Sequence, residues 1–263
     1  MGTALVTGAS SGLGEQFAYG LARRGYALVL VARRENRLKS VALKARSLGA
    51  PAARIIVCDL SGPDGPGQVR NQLEADSVAV DFLVNNAGFG TRGRFYELPL
   101  AREIEEVDLN VRALVAMTGL FLPAMVARRS GTIINVASTS AFQPIPYMAI
   151  YAATKAFVLS FSQAVADELK GTGVKVMALC PGPVRTEFQE VAGTTRVRIP
   201  QFIYIDAETV AAQALAAAER GKRVLISGAL NLIAAGLSRL APRALAGRVA
   251  GRLFRPDDGD RTG

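Results

Sequence analysis

The sequence predicts an α/β fold: a single-domain, doubly wound parallel β-sheet of about seven strands with helices on both faces. Three observations carry that reading. Short apolar runs of strand length recur along the chain, separated by longer stretches of helical spacing, the alternation that builds parallel βαβ units. Half of the 263 residues are apolar, enough for a sheet buried on both sides. A glycine-rich turn also follows the first apolar run at once and opens into a helical pattern.

The first run, Thr-Ala-Leu-Val-Thr at 3–7, enters Gly8-Ala9-Ser10-Ser11-Gly12-Leu13-Gly14, and the helical pattern holds from Glu15 to Arg24. Strand, turn and helix in that order form a phosphate cradle. The turn backbone approaches a pyrophosphate, and the N–H groups and dipole of the helix N-terminus face it. The spacing is Gly-x-x-x-Gly-x-Gly, not the commoner Gly-x-Gly-x-x-Gly. Further strands are expected at 27–32, 54–58, 80–84, 132–136, 174–180 and 223–226. No Pro/Gly/Ser-rich linker or internal repeat divides the chain. Residues 1–227 therefore form one domain, 228–256 a basic amphipathic helical extension of it, and 257–263 a disordered polar end.

Composition excludes several chemistries. The chain has no histidine and two cysteines, which rules out His-based triads and the usual zinc ligand sets. Acid–base work falls to Tyr, Lys, Asp or Glu. Cys58 and Cys180, at the ends of the third and sixth strands, read as buried reduced thiols, and a cytoplasmic location is expected from them. The first strand starts at once, leaving no room for a signal peptide. Val6 stands where a myristoylation motif wants Ser or Thr. No uninterrupted apolar run reaches membrane-spanning length. The net charge of +9 comes from 31 basic residues, 25 of them arginine, scattered and without aromatic interleaving. No nucleic-acid partner is expected.

The chemistry gathers around Tyr151 and Lys155, four residues apart on a helical stretch, with Ser138 thirteen residues upstream. An i, i+4 pair shares one helix face, and a nearby ammonium favours phenolate over phenol. That pairing is expected to lower the tyrosine pKa and make it a general acid/base near neutral pH. Tyr147 has no lysine four residues on, which sets it apart from Tyr151.

Taken together, these motifs resemble the short-chain dehydrogenase/reductase family, a Rossmann-type fold, over about the first 225 residues. The matches, in order, are Thr7-Gly8-x-x-x-Gly12-x-Gly14, Asp59, Asn85-Asn86-Ala87-Gly88, Asn110, Ser138, Tyr151 with Lys155, and Pro181-Gly182. The resemblance implies hydride transfer between a nicotinamide cofactor and a carbonyl or secondary alcohol. Tyr151 then exchanges the proton, Ser138 steadies the oxygen, Lys155 holds the nicotinamide ribose, and Asn110 bends its helix and holds a water. It also implies that Asp59 and Leu60 flank the adenine, Asn86, Ala87 and Gly88 the adenosine ribose side, and Val184 with Thr186 the nicotinamide amide. Cofactor choice can be read locally. The second strand ends in Arg33-Arg34, where an acidic residue would favour NAD, and guanidinium accommodates a 2′-phosphate. NADP(H) is therefore expected, held by Arg33 with Arg34, Ser10 and Ser11 assisting.

Phe89, Phe95, Phe142, Ile145 and Tyr147 are expected to line the substrate pocket. A lid at about 183–205 adds Phe188, Val191, Ile199, Phe202 and Tyr204. These side chains suit a 3-oxoacyl thioester or a steroid-like or aromatic ketone, and they equally suit packing of the lid or of an interface. From Arg239 to Arg255 there are five arginines and no acidic residue, with Leu245, Val249 and Leu253 at i, i+4, i+8. That stripe can cover the cleft, meet lipid or dock on another subunit, and docking in a homodimer or homotetramer is favoured. The alternative to an enzyme is an NADP(H)-binding sensor or scaffold that kept the fold.

Overall fold

Side-chain alternation along the strands decides the layering. In the computed structural model, which describes residues 2–195, 197, 199–240 and 242–256, seven strands form one parallel sheet: β1 (Thr3–Thr7), β2 (Ala27–Ala32), β3 (Ala53–Val57), β4 (Phe82–Asn85), β5 (Gly131–Val136), β6 (Val174–Cys180) and β7 (Val224–Ile226). Their order is β3-β2-β1-β4-β5-β6-β7. Leu5 is in register with Val29 and Leu83, and Leu83 with Ile133. These side chains all point to one face, into a core with Met117, Phe121 and Met125. One residue along, Val6, Leu30, Val84 and Ile134 point to the other face, against Phe17, Leu21 and Leu215. A strand buried on both faces reads as a continuous apolar run, which is why the strands were visible in the sequence. Burying a side chain such as Phe17, fully inaccessible, stabilises the fold by about 1.5–3 kcal/mol.

Helices α1 (Gly12–Ala22), α2 (Glu35–Ser47) and α8 (Ala207–Glu219) supply buried side chains to the Phe17 face. On the other face lie α3 (Gly65–Ala75), α4 (Leu100–Val107), α5 (Leu114–Ala127) and α6 (Ala149–Glu168). Between α4 and α5 the helix widens into a π turn, Asp108–Ala113. Beyond β6 come the short α7 (Phe188–Val191), then α8 and β7, and finally α9 (Ala229–Leu240) and α10 (Arg243–Phe254).

Strand edges shift by one or two residues from expectation. The fourth strand begins at Phe82, because Asp81 instead turns its carboxylate to the Thr3 N–H at 2.8 Å. Both cysteines are buried thiols, Cys58 one residue past the end of β3. Charged residues interrupt the apolar runs, yet the helices Leu100–Ala127 and Ala149–Glu168 are long and apolar enough to cross a membrane by length and composition. Each buries one side in this fold, with Met117, Met125 and Val158 inaccessible. The disordered end expected at 257–263 lies outside the described residues.

Candidate active site

The strand order reverses between β1 and β4, and their carboxyl ends open the crevice where doubly wound sheets bind ligands. Thr7 and Asn86 stitch that switch point. Thr7 Oγ1 accepts from the Asn86 and Ala87 N–H groups at 2.9 and 3.0 Å, and Asn86 Nδ2 donates to Thr7 O at 2.9 Å. The glycine turn is shaped by what cannot fit. Gly8 and Gly12 have φ of 64° and 56°, in the left-handed region. Gly14 is ordinary helix, but a Cβ there would overlap Gly8 O and the Asn86 amide. Backbone packed this closely, at the N-terminus of α1, fits a pyrophosphate.

At the adenosine end the two arginines divide their work. Arg34 donates to Ser11 Oγ at 2.7 Å and Ser10 Oγ at 3.2 Å, so its guanidinium sits on the glycine turn. Arg33 lies 3.6 Å from the Asp59 carboxylate and 3.5 Å from Glu105. For Asp59, burial alone would raise the pKa. Hydrogen bonds from Ser61 and the charge of Arg33 outweigh it and hold the carboxyl below its usual range. Arg34 also pairs with Glu187 at 2.8 Å, and Arg37 joins that carboxylate at 3.3 Å. The segment after β6 is thereby tied to the cradle, a contact the sequence did not reveal.

At the other end, Ser138, Tyr151 and Lys155 converge, all more than nine-tenths buried. Ser138 caps a short 3-10 turn, accepting from Ser140 N at 3.1 Å, and its hydroxyl faces Tyr151 so as to favour the phenolate. Lys155 Nζ donates to Val136 O at 2.9 Å and lies 5.7 Å from the centre of the Tyr151 ring. The expected lowering of the Tyr151 pKa by Lys155 does not hold in this structure. Burial pushes the phenol up to about 12, against the Ser138 hydrogen bond, and the Glu106 charge adds to the rise. Burial also pushes Lys155 down to about 8, with Glu106 and Cys180 opposing. Desolvation is the leading cause in both groups.

Asn110 sits inside the π turn, where the widened ladder turns its amide inward. It accepts from Phe89 N at 3.1 Å and donates to Phe89 O at 2.8 Å and Thr154 Oγ1 at 3.2 Å, clamping the loop after β4 beside Lys155. A Cβ on Gly88 would stand 2.7 Å from Asn110 Oδ1. Sequence reading missed two carboxylates on α4. Glu106 is fully inaccessible, accepting from Thr91 Oγ1 at 2.9 Å, and its second oxygen has no protein partner. Burial raises it to about 7, with Thr91 and Lys155 opposing and Glu103 adding to the rise. Glu103 is nearly as buried. Their i, i+3 spacing on a polar helix gave no sign of burial.

One cavity of about 600 Å³ runs past Gly8, Ser10, Ser11, Gly12, Leu13, Arg33, Arg34, Asp59, Leu60 and Asn86 to Gly88. It continues past Ser138, Tyr151, Lys155, Pro181, Gly182, Val184 and Thr186. Of the expected site residues outside the glycine turn's helical Gly14, only Asn110 stands behind the wall, one shell out.

A model of the short chain dehydrogenase family matches residues 2–196. The chain belongs to the short-chain dehydrogenases. A short chain dehydrogenase of Pseudocercospora fijiensis is 39% identical over 192 residues, 70% of this chain and 60% of the relative. The very-long-chain 3-oxoacyl-CoA reductase of Rattus norvegicus is 35% identical over 196 residues, 73% of this chain and 62% of the relative. The chain thus spans about three fifths of the length of these two curated relatives. Among solved structures, a short-chain dehydrogenase from Sphingobium yanoikuyae in complex with NADPH superposes with a TM-score of 0.81 at 32% identity, covering 100% of this chain and 99% of that one. The bulky-bulky ketone specific alcohol dehydrogenase from Comamonas testosteroni gives 0.77 at 29% identity, over 100% and 99%.

In this short-chain dehydrogenase the substrate end is lined by Phe89, Ile145, Met148, Phe188, Val191 and Ile199. Phe188 packs on Tyr151 at 5.2 Å between ring centres. Phe95 and Phe202, expected in the lining, are instead 55% and 73% exposed. Phe142, Tyr147 and Tyr204 also fall outside it. Tyr147 precedes α6 with φ of 69°, so it shares no helix face with Tyr151. Four tail residues line it in their place: Asn231, packed against Gly182 where no Cβ fits, with Ala234 and Ala235 of α9, and Phe254 of α10. Arg92 holds this end by donating to Phe254 O at 2.9 Å and Arg255 O at 2.8 Å. The tail covers the cleft with its small-residue face: Ala246 and Ala250 are buried, and Gly247 and Gly251 lie close to Pro144 and Pro146. The stripe of Leu245, Val249 and Leu253 points outward, away from the rest of the chain.

Proposed function

We infer that the chain is an NADP(H)-dependent oxidoreductase interconverting a hydrophobic carbonyl compound and its secondary alcohol. One observation carries the reading: Ser138, Tyr151 and Lys155 close one end of the same cavity whose other end holds the glycine turn and Arg34. When bound, the nicotinamide cofactor supplies or accepts hydride at the substrate carbon. The chain's own residues do the rest. Tyr151, with its pKa near 12, is a protonated donor in this structure, the form that reduction of a carbonyl requires. It gives its proton to the oxygen as charge develops there, while the Ser138 hydroxyl adds a second hydrogen bond. Lys155, drawn down to about 8, sits where it can return a proton toward the phenol.

Arg33 and Arg34 support preference for the 2′-phosphate, as does the NADPH complex of the Sphingobium protein. The apolar lining supports a 3-oxoacyl thioester or a bulky ketone, the chemistry in the names of the rat and Comamonas proteins. Two buried thiols support a cytoplasmic setting. Ile104, Val115 and Phe157, exposed on α4, α5 and α6, support a surface for a second copy.

The test is NADPH oxidation by the full chain against 3-oxoacyl thioesters, ketosteroids and aromatic ketones. Turnover with at least one of these is expected. Tight NADPH binding with no turnover on any of them would replace the enzyme reading with a cofactor-binding sensor.

A further inference from the structure

Helices α9 and α10 each show two unlike faces. The inner faces build the cavity wall: Asn231, Ala234 and Ala235 from α9, Phe254 from α10. The outer faces carry Leu230, Ile233 and Leu237 on α9 and Leu245, Val249 and Leu253 on α10, each between 44% and 63% exposed. At about 100° per residue, residues three or four apart are offset by only about 60° or 40°, so each set is one continuous stripe. An outward apolar patch spanning two helices needs a partner to cover it.

Charge identifies that partner. From 228 to 256 the chain has five arginines and no acidic residue. Arg248 and Arg252 are exposed, each one position before a stripe residue, so they flank the apolar row. A second copy meeting this face across a two-fold axis would bring the same arginines together, with no carboxylate among residues 228–256 to answer them. A surface of lipid headgroups and acyl chains answers both features, since apolar side chains enter the boundary region while arginines snorkel to anionic headgroups.

We propose that the outer faces of α9 and α10 dock this protein on an anionic lipid surface. Docking holds the cavity wall made by the inner faces of the same helices against the bilayer boundary. A water-poor substrate then reaches the site without crossing bulk solvent. The inference stands whichever carbonyl compound the site takes, because it rests on the outer faces alone.

The experiment is co-sedimentation of the full chain with vesicles of pure phosphatidylcholine and with vesicles containing 30% phosphatidylglycerol, at low and high salt. Three proteins are compared: the parent, Leu245→Glu/Val249→Glu/Leu253→Glu, and Arg248→Glu/Arg252→Glu. Mass in solution and NADPH affinity are measured alongside. The parent is expected to bind the anionic vesicles at least tenfold more tightly than the neutral ones, and more weakly at high salt. Both variants should lose at least tenfold of that binding while keeping parental mass and NADPH affinity. The arginine variant leaves every packed residue in place, so it decides the matter if the triple variant fails to fold. Equal binding to both vesicle types, or no binding to either, overturns the proposal. A fall in mass in either variant without vesicle binding by the parent reassigns the face to contact between copies.

Discussion

The two ends of the active-site cavity are built on opposite rules. The cofactor end is fixed by backbone: Gly8, Gly12 and Gly14 sit where a side chain would strain the chain or strike Gly8 O and Asn86. The substrate end is fixed by side-chain volume: Phe188, Ile145, Met148 and Phe254 fill a space that other apolar residues could reshape. A backbone-built site admits one ligand shape, and a volume-built one can change its ligand without changing the fold. Tyr151 stands where the two ends meet.

The largest effect should come from that meeting point. Tyr151→Phe keeps the ring against Phe188 and removes the proton donor, so kcat should fall by about 10²–10⁴ while NADPH affinity survives. Tyr147→Phe, outside the cavity, should change little. Steady-state rates on both variants check this, and the reverse ranking would move the acid to Tyr147.

Two glycine-to-alanine changes test the opposing rules directly. Both glycines are helical, where alanine is favoured by up to about 1 kcal/mol. At Gly14 the new methyl collides with backbone, and the expected result is a lower Tm and at least tenfold weaker NADPH binding. At Gly247 its nearest neighbour is Pro144 Cγ at 3.5 Å, ordinary contact, and Tm should hold or rise. Equal tolerance at the two positions would erase the distinction between the ends.

The tie between the segment after β6 and the cradle gives a prediction of sign. Arg34→Ser removes a charged partner for phosphate, a loss of about 1.5–3 kcal/mol, so NADPH should bind at least tenfold more weakly, with NADH less affected. Glu187→Gln frees Arg34 from its carboxylate. The pair is half-exposed and worth at most about 1 kcal/mol, so NADPH affinity should stay level or rise by a few-fold. Titration of both cofactors decides it. Weakening by Glu187→Gln on the scale of Arg34→Ser would mean the pair serves structure alone.

The smallest effect concerns Glu106, raised from 4.5 to about 7 mainly by burial. A carboxyl whose folded pKa exceeds its unfolded one contributes stability that is complete below about pH 4.5. That contribution is lost as pH rises through about 7. Glu106→Gln lacks this loss, so its Tm should gain on the parent by a few degrees between pH 4.5 and 7.5, each pKa unit being worth about 1.4 kcal/mol. A Tm difference that stays constant across that range would show that burial does not raise the Glu106 pKa in the fold.

The cofactor end was the more legible in sequence because backbone requirements appear as residue type. Gly8, Gly12, Gly14 and Asn86 stand wherever the backbone geometry needs them. The substrate end depends on which apolar side chains meet across long loops, and type alone does not say. Phe95 and Phe202 are as aromatic as Phe188, yet only Phe188 reaches the tyrosine. Phe254 and Asn231 were hidden because their partners, Arg92 and Gly182, lie far away in the chain. The tail shows the same limit. Its apolar stripe was plain, but the face that meets the body is the one made of alanine and glycine, which lets backbones come close. Glu103 and Glu106 read as ordinary helix surface because burial of charge leaves no mark in spacing.

The π turn at Asp108–Ala113 also acts as a phase adjuster. Met117, Phe121 and Met125 lock the rotation of α5 against the sheet, as in any core helix. Without the wider turn, α4 would have to continue in that same rotation. The extra residue lets α4 be set by the cleft instead, with Glu103 and Glu106 turned inward. Removing one residue from the turn would restore a regular helix, shorten it by about 1.5 Å and swing α4 by about 100°. Such a chain would keep its sheet and its cradle, and would carry Glu106 away from Lys155. One inserted position thus separates the helix that builds the core from the helix that sets the electrostatics around Tyr151 and Lys155.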